Sequence, residues 1–469
     1  MIAIGCYRQD LLTRASSAFE VASRSTSILE ENCRVVFEAL GVLGRRNHVL
    51  VVDETVFAPR WEVAVDLREG CPWGYIGGFK SPDEDFSFMP ASLSQSELPE
   101  DKLSRMSVHY GFSRADSNRH FFEVDMIPRC PRKGSASESK AGAAATLAEF
   151  GAVMLAATKA NHGLPPSSGA MDGGGANSYI NNCLLGVLPD ELMHVPFFDQ
   201  CQKQNLKIPA FPYKALFFQG KHFVGGNNDC CHIMKRLSFH IASGVRTPRW
   251  GDAFINLSWM TQGGLPVRSL ATEDLQSDKD MAKRLNSFYV VPGWGGAGCL
   301  VAQFIFGLVT SSWTAARGVE FKEGLQNALV SYYAILIQTH QSMERYGRGF
   351  QKHWLPIQSI RNVLDLVAHI IIQSRHWPAE TPWRPQSRQE STIEWHFGQA
   401  KTVTRGSPTV KDLLYGVYMV HGKHLRESSI WDDFTRETIE PVSAQELLSM
   451  AESALDDAAS FQELSEGWG

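Results

Sequence analysis

Three acidic residues occupy positions from which a carboxylate could take part in catalysis. Asp53 directly follows the apolar run VLVV, and Asp172 precedes the glycine run 173–175. Glu394 lies in the first turns of a predicted helix. Carboxylates that arrive from two strands and one helix can hold a pair of divalent cations, Mg²⁺ or Mn²⁺. Such a pair serves the hydrolysis and transfer of phosphodiester bonds. The three acids therefore predict a two-metal site.

Each of these signals also has a simpler explanation. An aspartate at the end of a strand commonly caps a turn, a glycine run is commonly a loop, and a glutamate on a helix is commonly solvated. The order of the signals favours the catalytic interpretation: a strand with an aspartate, a second aspartate before a glycine-rich turn, and a helical glutamate.

The stretch DCCH at 229–232 is a second candidate site, and it directly precedes a predicted helix. A zinc site would need another ligand pair, but Cys183 and Cys201 do not form a CxxC motif. A nucleophilic cysteine beside its own histidine is sterically awkward. A third interpretation pairs Asp229 with His232, since residues three apart on a helix point to the same side.

The elements that must position these residues begin with a run of strands followed by a helix. Strand-like segments include HVLVVDETVFAP, WEVAVDL, WGYIGGF and HFFEVDMIP, and the helix runs to about residue 160. After the DCCH stretch the pattern becomes helical and rich in tryptophan. We expect a mixed sheet of about five strands with flanking helices, split by a helical domain over roughly 245–389.

Composition limits the class of protein. The chain has 469 residues, of which 43% are hydrophobic and 20% are charged, so it can bury a large core. The net charge of −5 means that any DNA contact must come from local basic patches. We find neither a secretory signal nor an apolar run of about 20 residues, and nine cysteines suggest reduced thiols. We therefore expect a nuclear or cytoplasmic protein that does not span a membrane.

Four segments together resemble the catalytic domain of cut-and-paste DNA transposases of the hAT and THAP-associated P-element type. They are VVDETVFAP, MDGGGANSY, DCCHIMKRL and STIEWHFGQAKTV, in that order. The resemblance implies an α/β, RNase H-like mixed sheet with flanking helices, interrupted by a large all-α insertion domain. It also implies double-stranded DNA as the partner, homo-oligomers as a further candidate assembly, and a DNA-cutting and DNA-joining activity.

The same resemblance assigns roles to the residues. Asp53, Asp172 and Glu394 would hold Mg²⁺ or Mn²⁺, and His232 with Asp229 would orient the scissile phosphate. Weaker DNA contacts would come from Arg249, Trp250, Lys401 and Arg405. For Arg249 and Trp250, packing on the helical domain is the favoured explanation, and for Arg405 a solvated surface explains the charge equally well.

The implied domain boundaries follow from the positions of the four segments. They are an N-terminal helical segment at 1–44, the first part of the RNase H-like domain at 45–244, the helical insertion at 245–389, the final RNase H-like helix at 390–426 and an acidic tail at 427–469.

One family feature is not visible in the sequence, namely the N-terminal zinc-binding domain that recognises transposon ends. Two alternatives therefore stay open. The chain could be a domesticated or inactive transposase derivative that binds DNA or protein, or an RNase H-like nuclease unrelated to transposition.

Overall fold

The structure is a computed structural model of the full chain. It describes residues 26–65, 72–80, 85–115, 121–129, 149–172, 217–218, 222–223, 225–228, 230–242, 246–250, 253–254, 321–376, 391–404, 408–413, 420 and 444–466.

The chain divides into two compact units, each assembled from separate stretches of sequence. The first comprises Met1–Ile180, Phe217–Val224 and Glu380–Thr438, and the second comprises Asn181–Leu216, Gly225–Ala379 and Ile439–Gly469. A chain that leaves one unit and later returns to it is expected when one domain is inserted into another.

The described part of the first unit contains both helices and strands. Its helices are α1 (Thr26–Leu40), α2 (residues 149–160) and α6 (Ser391–Thr404), and its strands are β1 (His48–Val56), β2 (Glu62–Val65), β3 (Pro72–Ile76), β4 (Phe88–Pro90), β5 (Met106–Arg114), β6 (Phe121–Arg129), β7 (Ser168–Met171), β8 (Phe217–Phe218) and β9 (His222–Phe223).

Four of these strands form the main sheet of the first unit, in the order β7-β1-β5-β6. Strand β1 pairs with β7 in parallel and with β5 antiparallel, and β5 pairs antiparallel with β6. The sheet is therefore mixed, as the sequence predicted. A smaller antiparallel sheet has the order β2-β3-β4, and β8 pairs with β9.

Strand β1 is the central apolar strand of the unit. Its residues 49–52 have no exposed surface, so the side chains on both faces of the sheet are covered by protein. A strand buried on both faces needs a continuous apolar run, because alternation with polar residues would bury unpaired polar groups. This explains why the sequence reads VLVV up to the first acid.

Helices cover the two faces of the sheet. On one face, the ring of Phe37 in α1 lies 4.5 Å from that of His48 and 4.9 Å from that of Phe112. On the other face, α6 places His396 against Phe121, with ring centroids 5.1 Å apart. A buried cluster continues this second layer: Phe57, Met126, Ala400, Val410, Leu413 and Val420.

A glycine shapes the connection that leads into β1. Gly41 follows the end of α1 with φ of +66°, a conformation that costs glycine little, and the amide of Val42 donates to the carbonyl of Phe37 at 3.0 Å. Asn161 at the end of α2 then accepts from the amide of Gly44 at 2.6 Å. These bonds fix where β1 begins.

The described part of the second unit is mainly helical. Its elements are β10 (Gly225–Asn228), α3 (Cys230–Ala242), β11 (Arg249–Trp250), β12 (Ala253–Phe254), α4 (Phe321–Tyr346), α5 (Ile357–His376) and α7 (Ala444–Glu466). Helix α4 packs against both α5 and α7. Trp354 is fully buried beside α4 and donates from its indole nitrogen to the hydroxyl of Thr339 at 3.0 Å.

One feature of this unit differs from the all-α interpretation of 245–389. Strands β11 and β12 pair as a short antiparallel ribbon within that segment. The ribbon is held by the turn after α4, because the amide of Arg249 donates to the carbonyl of His353 at 2.8 Å. Strands of two residues are too short for the periodicity that identifies strands in sequence.

Among the helices that the structure describes, none combines the length and the apolar character that crossing a bilayer requires.

The burial of β1 predicts a large stability effect. We expect Leu50→Ala to lower the free energy of unfolding by about 2–5 kcal/mol, because the truncated side chain leaves a cavity in a strand covered on both faces. Leu155→Ala is the matched control, since Leu155 is 44% exposed on α2 and should change little. Urea unfolding of both variants measures the difference. Equal losses would contradict the burial of this strand.

Candidate functional site

The pairing of β1 with β7 brings two of the three predicted acids together. In this parallel pair Val52 lies opposite Met171, and the next residues along the two strands are Asp53 and Asp172. Neighbouring strands lie about 4.8 Å apart, and partners in a parallel register point to the same face. Both aspartates are half-buried. Two carboxylates thus lie side by side where β7 ends, close to the end of β1.

A third acid at this end, Glu54, was not predicted as a site residue. Its side chain keeps contact with solvent, but the surrounding protein displaces much of the water that would stabilise its charge. This desolvation, followed by the charges of Asp172 and Asp53, raises the pKa of Glu54 to about 7, while Arg129 acts in the opposite direction. The raised pKa thus reports first the loss of water around Glu54 and second the nearby aspartate charges.

The sequence signal for Glu54 was the acid pair in VVDETV. Asp53 and Glu54 are adjacent in one strand, so their side chains start toward opposite faces. A backbone bond within the pair also ties them, because the amide of Glu54 donates to Oδ1 of Asp53 at 2.7 Å. Alternation along a strand separates the side chains of adjacent acids, so the pattern alone did not indicate that their charges would interact.

Glu394 lies on the helix that covers the face of the sheet to which Asp53 belongs. Asp53 is opposite His109 in the β1–β5 ladder, so the two side chains share that face. The ring of His109 lies 4.8 Å from that of Phe397 in α6, and Phe397 is one turn beyond Glu394. Glu394 itself is half-buried. Its approach to the two aspartates stays a prediction.

The acid–histidine pair of the DCCH stretch falls in the second unit. His232 is the third residue of α3 and is half-buried, whereas Asp229 lies outside the described residues. Their predicted action on the scissile phosphate stays a prediction.

The four candidate DNA contacts differ in their surroundings. Arg249 donates from Nη1 to the hydroxyl of Tyr346 at 2.6 Å, which ties its guanidinium to α4. Trp250 is described only through its backbone in β11. Lys401 is exposed in the last turn of α6, and Arg405 lies outside the described residues.

The donor chemistry at the sheet end suits a hard cation. Mg²⁺ and Mn²⁺ prefer carboxylate oxygens, and Asp53 and Asp172 offer them side by side. The raised pKa of Glu54 shows a local excess of negative charge, which a cation would offset. Within the described ranges, however, no group of three or more histidine, cysteine, aspartate or glutamate side chains is placed to hold a metal ion.

Comparison with known proteins does not assign the chain to a family. No family model and no curated protein matches the chain. One solved structure, titled Drosophila P element transposase strand transfer complex, is similar with 11% sequence identity and a TM-score of 0.48, covering 83% of this chain and 82% of that one. A likeness of this size does not establish a shared fold.

The environment of Glu54 makes stability depend on pH. Its pKa is about 7 when folded against an ordinary value of 4.5, so the unfolded chain releases the proton first as pH rises. The carboxyl is protonated in both states below pH 4.5, and its destabilising effect grows from there to about pH 7. Glu54→Gln should therefore be more stable than the parent protein at about pH 8, with little difference at about pH 4.

Denaturant unfolding at the two pH values measures this effect. Glu100→Gln is a suitable control, because Glu100 is exposed in the turn Glu100–Lys102. A stability gain for Glu54→Gln that is the same at both pH values would show that ionisation of Glu54 is not its cause.

Proposed function

We propose that the protein cuts and joins DNA phosphodiester bonds, as a DNA transposase or a transposase-derived nuclease with a two-metal mechanism. The observation that carries this proposal is the register of β1 and β7, which sets Asp53 beside Asp172. Two such carboxylates are the minimum framework for a shared cation site. The order of the four transposase-like segments supports the choice of DNA over other phosphodiesters.

The roles of the residues follow from this proposal. Asp53, Asp172 and Glu394 would hold Mg²⁺ or Mn²⁺, with Glu54 adding negative charge at the edge of the site. When bound, the cations supply activation of a water or 3′-hydroxyl for in-line attack on phosphorus and stabilisation of the leaving oxygen. His232 and Asp229 would orient the scissile phosphate.

The fold belongs to the same proposal. We assign the mixed sheet and its flanking helices to an RNase H-like domain, and the segment 245–389 with its helices α4 and α5 to an insertion. In support, the sheet carries parallel and antiparallel pairs, and Asp53 lies within β1 beside Asp172, the residue that directly follows β7. We also propose a nuclear location, and a contact between the exposed Lys401 and a DNA phosphate.

The decisive comparison removes one carboxylate at a time. Asp53→Asn and Asp172→Asn keep side-chain size but remove the charge that binds a cation. Each should lower metal-dependent nicking of duplex DNA by at least about a hundredfold. Removing a group that only hydrogen-bonds a metal ligand already lowers activity by up to about a hundredfold, and the loss of a ligand itself should cost at least as much. Nicking of a labelled duplex in Mg²⁺ or Mn²⁺ measures this.

Asp101→Asn is the matched control, because Asp101 is an exposed acid of the same unit and should keep the parental activity. Nicking that survives in both site variants would contradict the proposal. A parent protein that binds DNA without nicking it in either metal would instead favour the non-catalytic, domesticated alternative.

A further inference from the structure

A buried chain of hydrogen bonds lies beside the carboxylates, on strands β5 and β6. The hydroxyl of Ser107 is 2.5 Å from Nε2 of His109, and Nδ1 of His109 is 2.6 Å from Oε2 of Glu123. The Ser107 and His109 residues are almost entirely covered, and the Glu123 side chain is 7% exposed. Both ring nitrogens of His109 are therefore engaged by these two partners.

The order of partners is that of an acyl-transfer triad, in which a serine, a histidine and an acid follow one another. That role does not fit this site. Ser107 has no exposed surface, so no substrate carbonyl can reach its hydroxyl. A fully satisfied buried network instead fixes the orientation of its members.

The fixed ring of His109 meets α6. Its centroid lies 4.8 Å from that of Phe397 with an interplanar angle of 69°, an edge-to-face contact. Phe397 is itself 6% exposed, so this contact forms part of the packing between the helix and the sheet. The position of α6 over the sheet therefore depends on the orientation of His109.

His109 also connects two parts of the proposed site. It lies opposite Asp53 across the β1–β5 ladder, so their Cβ atoms are separated by about 5 Å. On its other side, the ring supports Phe397, one turn from Glu394 on the same helix. A shift of the imidazole would move the helix that carries one acid relative to the strand that carries another.

We propose that His109, locked by Ser107 and Glu123, is a positioning residue that holds α6 and Glu394 in place over Asp53. This inference rests on the proposed metal-dependent function. A site of this kind needs its ligands held to within about 0.5 Å, which requires rigid support from neighbouring side chains.

The test compares variants on each side of the contact. His109→Ala removes the ring, and Phe397→Leu removes the aromatic partner while keeping an apolar side chain in the helix, which guards against simple unfolding. We expect each to weaken Mn²⁺ binding about tenfold and to lower kcat for DNA nicking with little change in KM. Amide hydrogen exchange over 391–404 in the metal-free protein should become faster.

His48→Phe is the matched control. His48 is also a buried histidine of the main sheet, but its ring packs on Phe37 and Phe112, on the face opposite α6. Its substitution is expected to change stability without changing Mn²⁺ affinity or the exchange of 391–404. Asp53→Asn serves as the reference for loss of the cation site itself.

The outcomes separate this inference from the function on which it rests. His109→Ala and Phe397→Leu could both keep the parental Mn²⁺ affinity and the parental exchange rate of 391–404, while Asp53→Asn loses affinity. That result would overturn the role of His109 alone. Unchanged Mn²⁺ affinity in Asp53→Asn would overturn both. Equal effects in the His48→Phe control would show general destabilisation and would also overturn the positioning role.

Discussion

Electrostatic repulsion among carboxylates near the end of β1 is the constraint on which the structure of the first unit depends. The parallel pairing with β7 sets Asp53 beside Asp172, and Glu54 adds a third carboxylate whose pKa rises to about 7. Grouped acids destabilise a fold at neutral pH, because their charges repel and are partly desolvated. Such a cluster persists only where the remaining structure is stable enough to hold it, and a bound cation would turn the repulsion into attraction.

The stability that holds the acids together comes from burial on both faces of the sheet. Helix α1 packs aromatic rings against one face, and α6 with its apolar cluster covers the other. A shift of one residue would turn every side chain of β1 to the opposite face, so Asp53 would leave the face that it shares with His109. The acids are therefore fixed by the register of a strand that is itself fixed by its core.

The sequence predicted those parts of this arrangement that depend on local pattern. The run HVLVVDETV was long and apolar enough to require a buried strand, and it forms His48–Val56. The sequence predicted that Asp53 and Asp172 come close together, but not that their strands pair directly. Tertiary packing decides which strands become neighbours. The effect on Glu54 could not be predicted, since its pKa depends on groups brought close by folding. The His109 network lies beside an irregularity in the β5–β6 pairing, where the register shifts between Tyr110 and Gly111. This shift has no local signature in the sequence.

Anomalous diffraction from crystals grown with Mn²⁺ would locate a bound cation without relying on activity. We expect a peak bounded by carboxylate oxygens of both Asp53 and Asp172, at about 2.1 Å from each. Well-ordered crystals that bind Mn²⁺ elsewhere, with neither aspartate coordinating it, would contradict a cation site between these two residues.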